Sequence, residues 1–126
     1  MHKLLLTLLP EKLGIYRLGK NQIAPDWPIS SNGLYSITRT ADEISIVCQE
    51  ENIPEECFSE KDFRALKVEG PLDFKLTGIL TSLLNPLAEA GISVFVLSTY
   101  DTDYILIKAE AMEPARAVLG KFCIIK

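Results

Sequence analysis

The chain has 126 residues, nearly half of them apolar, and a formal net charge of −4. That length suits one domain or two half-sized units, and the apolar share supplies a real core, which excludes a disordered chain. Scattered lysines and arginines on an acidic background give nucleic acid no electrostatic footing. No stretch reaches the ~20 apolar residues that a bilayer-spanning helix needs.

The first ten residues imitate a signal peptide. The apolar run is short, however, contains Thr7, and is followed at once by Glu11 and Lys12. Leu4 to Leu9 is therefore expected as a buried strand. Leu13 to Leu18, bracketed by Gly14 and Gly19, reads as a second extended piece. Asn21 to Ser31 carries Pro25 and Pro28 around Trp27, so it reads as a loop or one helical turn, with Trp27 as an anchor over the core edge or a pocket marker. Gly33 to Thr40 and Ile44 to Gln49 form a hairpin candidate turning at Ala41-Asp42-Glu43. Glu50 to Asp62 is acidic and holds Pro54, so it is the candidate linker between a first unit, 1–60, and a second, 61–126.

In the second unit, Phe63 to Val68 reads as a strand stopped by Gly70-Pro71, and 73–77 reads as a loop. Thr77 is placed to cap a helix over 77–90, where Ile79, Leu80, Leu83, Leu84, Leu87 and Ala88 recur at helical spacing. Pro86 is expected to kink or split that helix near Ser82, because it removes a backbone donor. Gly91 fits the stop. Strands over 92–98 and 103–108, a helix over 113–121 with Pro114 in its first turn, and a strand over 122–125 complete a βαββαβ order. The expected class is α+β: a ferredoxin-like βαββαβ unit after a reduced unit of strands, antiparallel sheets carrying helices on one face.

Cys48, Cys57 and Cys123 are odd in number and lack metal-ligand spacing, which points to reduced thiols and a cytoplasmic setting. The sole histidine, His2, lies at the terminus, and no P-loop, dinucleotide fingerprint, nucleophile elbow or zinc spacing occurs. Neither catalytic activity, a cofactor nor a metal site is expected. The paired acids Asp42-Glu43 and Asp101/Asp103 lie where turns are expected and read as solvated turn residues.

The corner Ser98 to Asp103 concentrates hydroxyls, carboxylates and a phenol between two apolar strands. The words Leu97-Ser98-Thr99-Tyr100-Asp101-Thr102-Asp103-Tyr104-Ile105-Leu106, preceded by Leu87-Ala88-Glu89-Ala90-Gly91-Ile92-Ser93, resemble the ACT-domain family of the CASTOR arginine sensors and the ACT repeats of aspartate kinases. Gly70-Pro71-Leu72-Asp73-Phe74 with Leu76-Thr77-Gly78-Ile79 is similar to that family's glycine loop and helix start. Thr40 to Val47 is similar to a strand pair in small bacterial members.

The resemblance implies a regulatory module that binds a free amino acid or similar metabolite between two units. Its contacts would come from Leu76, Thr77, Gly78 and Ile79, from Ser98, Thr99, Tyr100 and Asp103, and from Ser93 and Val94 of the neighbouring unit. Phe74 to Leu76 would border the loop. The sensors join four such units in one chain and this chain holds at most two, so a homodimer is implied, with a regulated protein as a further partner. The chemistry agrees. A helix start offers backbone N–H groups to a carboxylate, and strand carbonyls suit an ammonium. The alternative function is a structural or dimerising ACT-fold protein without a ligand, in which Gly78 serves packing and Asp103 only caps its turn.

Overall fold

A computed structural model describes residues 4–24, 33–69 and 78–126. Among the described residues there are eight strands and two α-helices. The expectations for Trp27 and its prolines, the Gly70-Pro71 stop, the loop over 73–77, and Phe74, Leu76 and Thr77 lie outside them. The chain divides into two compact units, Met1–Pro10 with Arg64–Lys126, and Glu11–Phe63.

The unit containing Arg64–Lys126 carries the expected βαββαβ order. The second half of β5 (Phe58–Val68) is followed by α1 (Ile79–Glu89), β6 (Phe95–Ser98) and β7 (Asp103–Lys108). A 3-10 turn (Ala109–Ala111), α2 (Met112–Leu119) and β8 (Cys123–Ile125) complete it. One strand was not expected here. β1 (Leu4–Leu8) lies between β5 and β8, antiparallel to the first and parallel to the second, giving the order β6-β7-β5-β1-β8. Leu6, Leu66, Val68, Ile105 and Ile107 turn one face of this sheet toward Leu83 and Leu87 of α1 and Met112, Ala115 and Leu119 of α2. Each such leucine or isoleucine contributes about 1.5–3 kcal/mol through removal from water.

Three local expectations are corrected. The N-cap of α1 is Gly78, one residue after the expected Thr77, and it makes no side-chain cap. The helix is not split at Pro86, because the ring costs only the bond to the Ser82 carbonyl. The ladder resumes beyond it, with the Ala90 amide donating to Pro86 O at 3.1 Å. β6 begins at Phe95 rather than Ile92, because the Ile92 amide is engaged in closing the helix. It donates to Leu87 O at 2.9 Å while Gly91 N donates to Ala88 O at 3.0 Å. Gly91, at φ +75°, supplies the left-handed residue this double closure requires.

In Glu11–Phe63, β2 (Leu13–Gly19) pairs with β4 (Glu43–Gln49), β4 with β3 (Ser36–Arg39), and β2 with the first half of β5, all antiparallel. The last five residues of the expected acidic linker, 58–62, are therefore strand. Only Glu50–Asn52 forms a 3-10 turn before β5 starts at Phe58. Residues 58–62 are exposed because this half of β5 is the outer strand of its unit, and the polar composition of a solvated edge hid it from the hydropathy pattern. The pairing shifts between Leu13↔Phe63 and Ile15↔Glu60. Asp62, inside that bulge, has φ 65° and is the one non-glycine residue with positive φ among those described. Its amide donates to Glu50 Oε2 at 3.0 Å, and its carboxylate lies 3.7 Å from Lys12 Nζ. Asp62→Val, which puts a β-branched side chain at that φ, is expected to lower urea-unfolding stability by roughly 2 kcal/mol, whereas Asp62→Gly is neutral or stabilising.

Tyr16, Leu18, Ile44, Ile46, Cys48 and Ile53 form the core of this unit. Tyr16 is 2% exposed, and its hydroxyl has no hydrogen-bond partner among the described residues. Burial first, then the nearby Cys48 and Cys57 thiols and Tyr35, push its pKa from the ordinary 10.0 to about 12. Burial alone lifts Cys48 from 9.0 to about 11. Both groups keep their protons longer in the folded chain than in the unfolded one, so the unfolded state deprotonates first. Their contribution to stability is whole below pH 9 and falls as pH rises to 12. Circular dichroism across that range is expected to show alkaline unfolding. Tyr16→Phe flattens the upper part of the profile and at neutral pH is neutral or stabilising by up to ~1 kcal/mol, since no hydrogen bond is lost.

Candidate functional site

Helix α1 has 11 residues, about 16 Å of rise. The short connection from Ala90 to Val94 reverses the chain into β6, so the helix and β6 run in opposite senses. The helix start is thereby returned to the edge of the unit where β6 ends at Ser98. Gly78 and Ile79 and the corner Ser98 to Asp103 share that edge. Ser93 and Val94 do not. They precede β6, and five residues of extended chain separate Ser93 from Ser98 by about 16 Å. Within one chain the two groups of expected site residues do not meet. Leu76 and Thr77 lie outside the described residues.

At the helix start, Gly78 has φ +79°, and a Cβ built on it would meet none of the described residues within 4 Å. The first turn has no side-chain cap and no acidic residue. Ser82 N–H donates to Gly78 O at 2.9 Å, the first intrahelical bond. The amides of Ile79, Leu80 and Thr81 precede it, and their dipoles make this the positive pole of the helix.

The corner is tightly tied. Ser98 pairs with Asp103 across the β6–β7 hairpin, and its hydroxyl donates to Asp103 Oδ1 at 2.5 Å. Thr99 N–H donates to Thr102 O at 2.7 Å, and the Thr99 hydroxyl donates to the same carbonyl at 3.2 Å. Thr102 N–H returns a bond to Thr99 Oγ1 at 3.2 Å. Tyr100 at the tip is 82% exposed. Thr102, not singled out by the sequence, is the residue that goes inward: it is buried, and its hydroxyl donates to the Val68 carbonyl at the end of β5. A threonine within a turn gives no sequence signal of such a bond, since its partner lies 34 positions away.

Just past β5, Glu69 Oε2 accepts the Thr7 hydroxyl at 2.6 Å and Oε1 lies 3.6 Å from Lys67 Nζ. The Thr7 hydrogen bond holds the Glu69 carboxyl below its usual range, with desolvation opposing and Lys67 assisting. In the Glu11–Phe63 unit a pocket of about 260 Å³ is lined by Glu11, Lys12, Gln49, Glu50 and Glu51. Among the described residues no group of three or more His, Cys, Asp or Glu side chains is placed to hold a metal ion. No helix among them is long and apolar enough to cross a membrane. Cys48 lies on β4 and Cys57 just before β5, on opposite sides of β2. Two strand spacings, about 10 Å, exceed the reach of a disulfide.

Comparison with known proteins agrees with this architecture. A family model described as an ACT domain matches residues 58–121, and a second, for an N-terminal domain, matches residues 11–56. The Homo sapiens protein CASTOR3P is 37% identical over 86 residues, a segment that is 58% of this chain and 53% of that protein. The chain thus spans about half the length of this curated relative. The crystal structure of protein Atu0741 from Agobacterium tumefaciens superposes with a TM-score of 0.91 at 34% identity, covering 100% of this chain and 94% of that one. The regulatory subunit of aspartate kinase from Thermus thermophilus superposes with a TM-score of 0.65 at 12% identity, covering 93% and 95%, a likeness of fold.

The corner bond is exposed and short in sequence, so Ser98→Ala is expected to cost less than ~1 kcal/mol in urea unfolding. A larger loss means that Asp103 needs the Ser98 hydroxyl to close the hairpin.

Proposed function

Because the chain belongs to the ACT-domain family, we propose that it is a regulatory module that binds a free amino acid or a similar small zwitterion and performs no catalysis. The observation that supports this most is the helix start at Gly78, uncapped and unobstructed by the described residues, on the same edge as the polar corner. An α-carboxylate is stabilised by the Ile79, Leu80 and Thr81 amides at the positive pole of α1. The residue at φ +79° leaves the approach clear, because it has no Cβ. Thr99, Tyr100 and Asp103 border the ligand's side chain, and the family resemblance adds Leu76 and Thr77 to its contacts. The ammonium takes carbonyls and the hydroxyl of Ser93 and Val94. Since these lie at the far end of their own strand, a second copy supplies them, and the working unit is a homodimer in the cytoplasm that passes its state to a protein partner.

One observation favours a second reading. Ser98, Thr99, Thr102 and Asp103 already bond to one another, as they would in an ACT-fold protein that only dimerises. A thermal-shift screen against the twenty amino acids separates the two. A ligand at a hundredfold excess over Kd stabilises the native state by about 2.7 kcal/mol. Gly78→Asp puts an anion at the helix pole in a residue type that tolerates positive φ, so the unliganded melting temperature stays near wild type while the shift disappears. A dimeric protein that no amino acid stabilises is the structural module instead.

A further inference from the structure

We infer that Thr102 is the positioning residue of the proposed site, holding the Ser98–Asp103 corner in register with the exit of β5. The inference rests on the ligand-binding reading for its functional meaning and on hydrogen bonds for its geometry. Thr102 is the buried polar residue of a corner whose neighbours Ser98, Thr99, Tyr100 and Asp101 are all exposed. Every polar group it owns is engaged. Its amide donates to Thr99 Oγ1, its carbonyl accepts from both the Thr99 amide and the Thr99 hydroxyl, and its hydroxyl donates to Val68 O.

The first three bonds shape the corner, and the fourth fixes where that shape sits. Val68 is itself fully buried, pairs with Leu6, and is the last residue of β5. The following amide, Glu69 N–H, is held by Leu5 O at 2.9 Å, so the strand end cannot swing to find another donor. A carbonyl at such a place needs a partner, and an unsatisfied one carries the full desolvation penalty. Thr102 supplies the donor from the corner itself. In sequence, β5 is the element before the helix that starts at Gly78. One hydroxyl thereby sets the corner against the strand from which the other half of the site departs.

The test compares Thr102→Val, which keeps shape and removes the donor, with Thr102→Ser, which keeps the donor. Ile107→Val is a control that weakens the same core elsewhere. Amide hydrogen exchange without any ligand is the first readout. In Thr102→Val the Thr99 and Thr102 amides are expected to lose at least tenfold in protection, while Leu8 and Lys126 in the β1–β8 pair keep theirs. Thr102→Ser and Ile107→Val keep the wild-type corner pattern.

The second readout is the half-saturating concentration for whichever of the twenty amino acids stabilises the wild type. It rises about tenfold in Thr102→Val, the equivalent of ~1.4 kcal/mol, and stays put in the other two. Corner protection in Thr102→Val equal to wild type overturns the inference, as does an unchanged midpoint. If no amino acid shifts the wild type but the exchange pattern holds, the binding reading fails and the anchoring of the corner stands.

Discussion

The pairing of Leu6 holds the ferredoxin-like unit together. Leu6 faces Val68 across an antiparallel ladder on one side and Ile125 across a parallel one on the other, and its side chain is fully buried. In a plain βαββαβ unit the first and last strands would be neighbours. Here β1 fills the place between them, and the amides of Leu8 and Lys126 exchange bonds with Lys126 O and Leu6 O. Remove β1, and β5 and β8 each lose a whole row of hydrogen-bond partners, while the core under α1 and α2 loses its central leucine. The site edge inherits its rigidity from this arrangement, because β5 is the strand on which the corner is hung.

Much of the fold was legible because its signals are local. Asp103–Lys108 was readable to the residue from a continuous apolar run bounded by a polar corner, and α2 from its apolar spacing and early proline. Features that depend on remote partners were not. The place of β1 depends on pairing with Cys123 to Ile125, which hydropathy along the first ten residues cannot reveal. Residues 58–62 looked like linker because an outer strand shows polar side chains to water. Pro86 looked like a break because one missing donor was weighed without Leu83 and Leu87, whose burial holds the helix on the sheet at both sides of it.

The candidate site shows the same division. Gly78 and the corner were readable from residue types and from resemblance, and the fold puts them at one edge. That Ser93 and Val94 fall at the other end follows from strand direction, which the sequence carried only implicitly. Thr102 was missed because a buried threonine and an exposed turn threonine are identical in sequence. The difference is a carbonyl 34 positions upstream. Asp103, singled out as an acid for a ligand, has one oxygen occupied by Ser98. The corner is therefore a preorganised scaffold first.

The interposed first strand has a bearing on how the protein is made. Leu4 and its parallel partner Cys123 lie more than a hundred positions apart. On a ribosome, β1 emerges well before its second neighbour, so an apolar segment with an unsatisfied edge must wait while the residues between them are made. Such long-range parallel pairing is slow to form and exposes nascent chains to mispairing. In the Glu11–Phe63 portion the widest pairing, Leu13 with Phe63, spans 50 positions, so its ladders can close well before β1 meets β8.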